Sequence, residues 1–293
     1  MDENQWLAER FEEHRGHLRA VAYRMLGSLA EADDAVQDAW MRVSRAGADD
    51  VDNLGGWLTT VVARVCLNVL RSRNRRGETP LEAQLPDPVI TLPGQRDPED
   101  EALLADSVGL ALQVVLDRLS PAERLAFVLH DMFDLPFENI APMVGRTPTA
   151  ARQLASRARR RVKEAAVPVP DGNLGRQREV VDAFFAAARG GDFDALVALL
   201  HPDVVLRADY SPKRPAASAE FRGASAVASQ ARLGARPAAE IHPVLVNGLA
   251  GAVITMRGRP FAVLAFTVVE GKIAEIDAIG DPERVRRVAA AVL

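Results

Sequence analysis

Two proline-bearing segments constrain this chain first, because proline removes a backbone donor and clashes with the preceding turn of a helix. One runs from Gly77 to Asp100 and carries Pro80, Pro86, Pro88 and Pro93 among several acids. The other is Val167-Pro168-Val169-Pro170-Asp171-Gly172. A helix continues through neither, so the chain divides into three blocks: residues 1–76, 101–166 and 174–293, with 77–100 and 167–173 as linkers. At 293 residues it is also too long for one average domain.

The first two blocks read as helical. Phe11, Leu18, Val21, Ala22, Met25 and Leu26 recur at helical spacing, as do Ala35, Val36, Ala39, Trp40 and Val43. Gly27-Ser28 separates these segments, and a third helix is expected from Trp57 through Leu70 into Arg71-Ser72-Arg73. In the second block, Ser120-Pro121-Ala122-Glu123 has the capping-box pattern, with serine at N-cap, proline at N1 and glutamate at N3.

The third block changes character. Helices are expected over 176–189 and 193–200, then strand-like runs over 204–207, 239–247, 251–257, 259–269 and 272–279. Asn247-Gly248, Arg257-Gly258 and Glu270-Gly271 punctuate those runs as hairpin turns. Helices followed by an antiparallel run predict a separate α+β domain behind two all-α units.

Apolar residues make up 48% of the chain, enough for real cores, and no apolar run is long enough to span a bilayer. The opening MDENQWLAERFEEHR is acidic and amphipathic, a helix rather than a signal peptide. A single cysteine, Cys66, excludes an intrachain disulfide framework and a cysteine-rich zinc site. These features predict a soluble cytoplasmic protein without cofactor or metal.

Net charge is -4, but the charge is not evenly spread. From Arg146 to Lys163 stand Arg146, Arg152, Arg157, Arg159, Arg160, Arg161 and Lys163 with no acid, and from Arg64 to Arg76 five arginines with no acid. Such patches suit a nucleic-acid backbone; on charge alone, they equally suit a solvated helix face.

Residues 136–157 add a shape. Phe137, Ile140, Ala141 and Val144 give one helix an apolar face, Gly145 supplies a tight turn, and Thr147-Pro148 begins a second helix. Ala151, Leu154, Ala155, Ala158 and Val162 form its buried stripe, while Thr149, Arg152, Gln153, Ser156 and Arg157 face outward. Arginine can bond bidentately to guanine and glutamine to adenine in a major groove. Arg159, Arg160 and Lys163 would then fix register on phosphates.

Three ordered stretches over about the first 165 residues resemble the extracytoplasmic-function sigma factors: Tyr23 to Trp40, Gly56 to Arg76, and Leu119 to Arg161. The resemblance implies a core-polymerase-binding face on the β′ subunit at Asp34, Gln37, Asp38 and Met41. It implies minus-10 recognition and melting by Trp57, Arg64, Asn68, Arg71, Arg73, Arg75 and Arg76. It also implies minus-35 contacts by Thr149, Arg152, Gln153, Ser156, Arg157 and Arg160. RNA polymerase core, through β′ and β, and promoter DNA are the partners it predicts.

Residues 174–293 resemble the SnoaL-like branch of the nuclear-transport-factor-2 fold, a cone, and sigma factors with this extension form a subgroup. Its linker motif is represented here by Leu85-Pro86-Asp87-Pro88, without the usual tryptophan, and its loop motif only by the ends, Asp209 and Lys213. The subgroup implies a regulatory contact between linker and loop, and the cone leaves room for a small-molecule ligand. His201, Asp203, Asp209, His242 and Asp277 are the acid/base candidates, but no pair has a spacing that demands chemistry. Two rivals stay open: a one-component helix-turn-helix regulator, and a SnoaL-like enzyme with an accessory helical domain.

Overall fold

The computed structural model describes residues 3–46, 51, 53–75, 85–94, 110–165, 167–210, 219–290 and 292. These fall into two compact units. One contains residues 3–75 and, from Leu112, the helical block to 165; the other contains 85–94, the first two residues of the helix that begins at Leu110, and 167–292.

The helical unit opens with α1 (Glu3–Leu26), α2 (Leu29–Ala46) and α3 (Leu54–Arg75), and continues with α4 (Leu110–Asp117), α5 (Pro121–Phe127), α6 (Phe137–Val144) and α7 (Pro148–Glu164). Gly27, at φ 74°, ends α1 with its amide bonded to the Tyr23 carbonyl. Phe11, Leu18, Val21, Met25, Val36, Leu58, Val62 and Cys66 are buried together with Tyr23. Burial pushes the Cys66 thiol up to about 12, so it stays an inert thiol.

Two buried side chains bind α1 to the later helices. Arg124 donates from Nε and Nη2 to the Arg24 carbonyl at 3.2 and 3.1 Å, and its Nη1 pairs with Asp117. Gln113 donates to the same carbonyl at 3.2 Å. The last carbonyls of α1 thus find partners among side chains.

The second unit is built on a seven-stranded sheet: β1 (Ile90–Thr91), β2 (Leu200–Asp209), β3 (Ala219–Arg222), β4 (Ala239–Val246), β5 (Leu249–Met256), β6 (Arg259–Val269) and β7 (Lys272–Ile279). Their spatial order is β1-β4-β5-β6-β7-β2-β3, antiparallel throughout except for the parallel pair β2–β7. The three predicted turns join β4 to β7 as a meander, with φ of 50° and 78° at Asn247-Gly248, 53° and 71° at Arg257-Gly258, and 51° and 73° at Glu270-Gly271. Two successive positive φ values match the twist of the flanking strands.

Helices α8 (Leu174–Gly190), α9 (Phe193–Leu199) and α10 (Ala224–Gly234) supply Val181, Phe184, Leu196 and Val227 to a core shared with Leu200, Phe266 and Ile276. Helix α11 (Pro282–Ala289) packs on β6. The sequence reading leaves β3, α10 and α11 unassigned. It also treats 77–100 wholly as linker, whereas Ile90 and Thr91 pair with Val246 and Leu245 of β4.

Candidate nucleic-acid interface and linker clasp

Helix α6 ends at Gly145, which takes φ 65° and ψ 41°, a left-handed geometry that glycine adopts without a Cβ penalty. Arg146 N–H then reaches back to the Ala141 carbonyl at 3.0 Å. Thr147 caps α7 by accepting from Ala150 N–H at 3.3 Å, and Pro148 occupies the first turn. Ala151, Ala155 and Ala158 are fully buried, while Leu154 and Val162 are half-buried. Thr149, Arg152, Gln153, Ser156, Arg157 and Arg160 are all exposed.

Not every arginine of α7 is left for a ligand. Arg161 and Arg157 reach Glu123 of the capping box at 2.9 and 3.3 Å, and Arg159 pairs with Asp131 at 2.5 Å. Burial alone would raise the Glu123 carboxyl; hydrogen bonds from Ser120 and the charges of Arg161 and Arg157 outweigh it and hold it low. Arg159, expected to contact phosphate, is instead engaged within the fold. Arg152 keeps its guanidinium 5.2 Å from the Phe137 ring, which orients it without neutralising it.

On α3, Arg64, Asn68, Arg71 and Arg75 are exposed and fall four, three and four residues apart, on one helix face. Asn68, Arg71, Asn74 and Arg75 surround a shallow recess. Arg73 departs from this set: it pairs with Glu31 and donates to the Leu26 carbonyl at 3.4 Å, tying α3 to α1 and α2. Trp57 is half-buried in the first turn, where Asn53 caps the helix through Gly56 N–H at 2.9 Å. Arg76 lies outside the described residues.

Asp34, Gln37, Asp38 and Met41 are exposed on α2, opposite the buried Ala35, Val36, Ala39 and Val43. Trp40 turns inward, its ring 5.0 Å from that of Phe11.

In the second unit the linker is gripped by side chains. Leu85, Pro86, Asp87 and Pro88 are all buried. Arg284 of α11 donates from Nε to Asp87 at 3.0 Å, from Nη1 to Asp209 at 2.6 Å, and from Nη2 to the Leu85 carbonyl at 2.5 Å. Asp209 also accepts from Leu85 N–H at 3.1 Å. Burial raises the Asp209 carboxyl, against the Arg284 charge and the Leu85 amide. Beside this clasp, Val89 and Asn247 exchange two hydrogen bonds, at 2.7 and 2.8 Å. Lys213 lies outside the described residues.

The sequence marks Asp87 and Asp209 but not Arg284. Its only local signal is an N-terminal helix turn opened by Asp281, which caps α11 through Arg284 N–H at 2.9 Å. Nor are the acid/base candidates brought together. Asp277 is bound to Arg207 at 2.8 Å, His201 accepts from Asp203 N–H at 3.2 Å, and His242 lies 2.9 Å from the Thr255 hydroxyl. Asp209 belongs to the clasp.

Residues 10–76 match sigma-70 region 2, residues 109–162 match sigma-70 region 4, and residues 181–276 match the SnoaL-like domain. The chain is 38% identical over 286 residues to the ECF RNA polymerase sigma factor SigJ of Mycobacterium tuberculosis, covering 94% of this chain and 91% of that one. It is 35% identical over 270 residues to a probable ECF RNA polymerase sigma factor, SigI, of the same organism, covering 92% and 91%. The crystal structure of SigJ superposes with a TM-score of 0.73 over 94% of this chain and 97% of that chain, at 35% identity. No described helix is long and apolar enough to cross a membrane. The chain belongs to the extracytoplasmic-function RNA polymerase sigma factors, in the form that carries a C-terminal SnoaL-like domain.

Proposed function

We propose that the chain directs RNA polymerase core to promoters, with its exposed helix faces divided among three tasks. Helix α7 enters the major groove of the minus-35 element, where Arg152, Gln153, Thr149 and Ser156 meet base edges and Arg160 meets phosphate. Arg64, Asn68, Arg71 and Arg75 of α3 hold the minus-10 element, with Asn68 placed to bond an exposed base edge. Asp34, Gln37, Asp38 and Met41 of α2 form the contact with the β′ subunit.

One observation carries this reading most directly. On α7 and on α3, one face is buried while the other leaves polar and basic side chains in solvent. On these two helices Arg73, Arg157, Arg159 and Arg161 pair with carboxylates of other elements, and Arg160 makes only an exposed 3.7 Å pair with Glu164 on its own helix, leaving Arg64, Arg71, Arg75 and Arg152 without an ion pair among the described residues. Such a division suits a ligand that needs both phosphate and base contacts.

The C-terminal domain serves regulation rather than catalysis. Its buried Arg284 clasp holds the linker between the two sigma regions, and so can limit their rearrangement on core polymerase. Supporting the non-catalytic role, none of the acid/base candidates lines the domain's cavity. The test is multi-round transcription by core polymerase with the wild-type chain and with Arg284→Met. Release of the linker predicts a changed yield at unchanged start sites; equal yields would remove the regulatory role.

A further inference from the structure

The SnoaL-like domain encloses a cavity of about 430 Å³ between its helices and the inner face of the sheet. Successive residues of a strand face opposite sides, so β2 and β7 divide their chemistry between two faces. Arg207, Asp209, Glu275 and Asp277 fall on one side, whereas Leu206, Ala208, Ile276 and Ala278 line the cavity. Phe184, Phe185, Phe221 and Leu264 complete apolar walls, and the volume falls within the roughly 300–1,000 Å³ of small-molecule sites.

The mouth differs from the walls. Tyr210, Leu233 and Phe261 are 42%, 68% and 44% exposed there, three of the seven large apolar residues that the described chain leaves in water. Exposed apolar groups gathered at one opening mark a binding site more than scattered ones do. Beside them stand Arg189 and Arg236, both exposed and neither ion-paired among the described residues. No aspartate, glutamate, lysine or histidine is among the described lining residues, so the two arginines are the charged side chains among them.

We propose that this cavity binds an apolar monoanion, a carboxylate on a hydrocarbon or aromatic body, with the body between the phenylalanines and the anionic group at Arg189 and Arg236. The walls supply affinity through burial of apolar surface, and the arginines choose the sign of the head group. A cationic ligand of the same shape would meet two like charges with no carboxylate among the described lining residues.

The test is calorimetric titration of the full-length chain with decanoate, decylamine and 1-decanol, each below its aggregation limit. Decanoate should bind one per chain and at least tenfold more tightly than decylamine. The exposed pair R189Q/R236Q should abolish that preference while 1-decanol binds as before, and Ala231→Trp, which fills the cavity, should weaken all three. Failure of decanoate to bind, equal binding of decanoate and decylamine, or an unaltered preference in R189Q/R236Q would each overturn the proposal. Should Ala231→Trp misfold by circular dichroism, the arginine pair decides alone, since both side chains lie in solvent.

Discussion

Arg284 and Asp87 stand 197 positions apart and meet at 3.0 Å through Nε and Oδ1, both nearly excluded from water. The same guanidinium holds Asp209, so one cation bridges two buried carboxylates and joins the linker to β2 and α11. Buried pairs of this kind are poor sources of net stability, yet breaking one strands a charge.

Arg284→Met removes the buried cation that Asp87, Asp209 and the Leu85 carbonyl share. It should destabilise the C-terminal unit by about 3–5 kcal/mol, read as a lower urea midpoint. Arg287, 3.7 Å from Asp87 and half exposed, should matter far less, and Arg287→Met should shift the midpoint little. Equal shifts for the two variants would show that the clasp is not centred on Arg284.

Asp277 gives the domain a pH dependence. Burial, opposed by Arg207 and reinforced by Glu275, raises its carboxyl from 3.8 to about 6. The folded chain then holds this proton more tightly than the unfolded chain, so stability falls as pH rises from about 4 to about 6 and levels off above. The contribution is on the order of 1–3 kcal/mol. Asp277→Asn should remove it: the stability difference between variant and wild type should change across that window and stay constant from pH 7 to 8. A constant difference from pH 4 to 8 would contradict the shift.

Within α7, neighbouring arginines should separate into two classes. Arg152→Ala and Gln153→Ala should each cost roughly 1–3 kcal/mol of promoter discrimination with little loss of stability. Arg161→Ala, which removes a 2.9 Å contact to Glu123, should instead lower stability and leave promoter choice unchanged. Competition binding of polymerase holoenzyme to matched and mismatched promoters, alongside urea unfolding, distinguishes the classes.

Adjacent positions on α3 make a similar contrast. Arg71→Ala should weaken promoter binding across sequences and reduce the salt dependence by about one phosphate contact. Arg73→Ala should leave the salt slope unchanged and destabilise the helical unit, because Glu31 and the Leu26 carbonyl lose their donor. A reduced salt slope in Arg73→Ala would place that side chain on DNA instead.

These contrasts also mark where the sequence stops being legible. Thr147-Pro148 and the three turns ending in glycine are readable because the backbone geometry they impose is local. The exposed faces of α2, α3 and α7 follow from helical spacing alone. Arg73, Arg159 and Arg284 resist such reading, since each is decided by a carboxylate supplied from elsewhere: Glu31, Asp131, and the pair Asp87 and Asp209. Ile90-Thr91 is equally hidden. Two residues in a proline-rich stretch carry no period, and only the edge of β4 gives them strand geometry.

The most direct measurement is transcription of fragmented genomic DNA by purified core polymerase, with and without the chain, mapping transcript 5′ ends. Discrete start sites that require the chain, share a two-part upstream element and are lost with Arg152→Ala together with Gln153→Ala are the predicted result. The same 5′ ends with and without the chain would contradict its role in promoter selection.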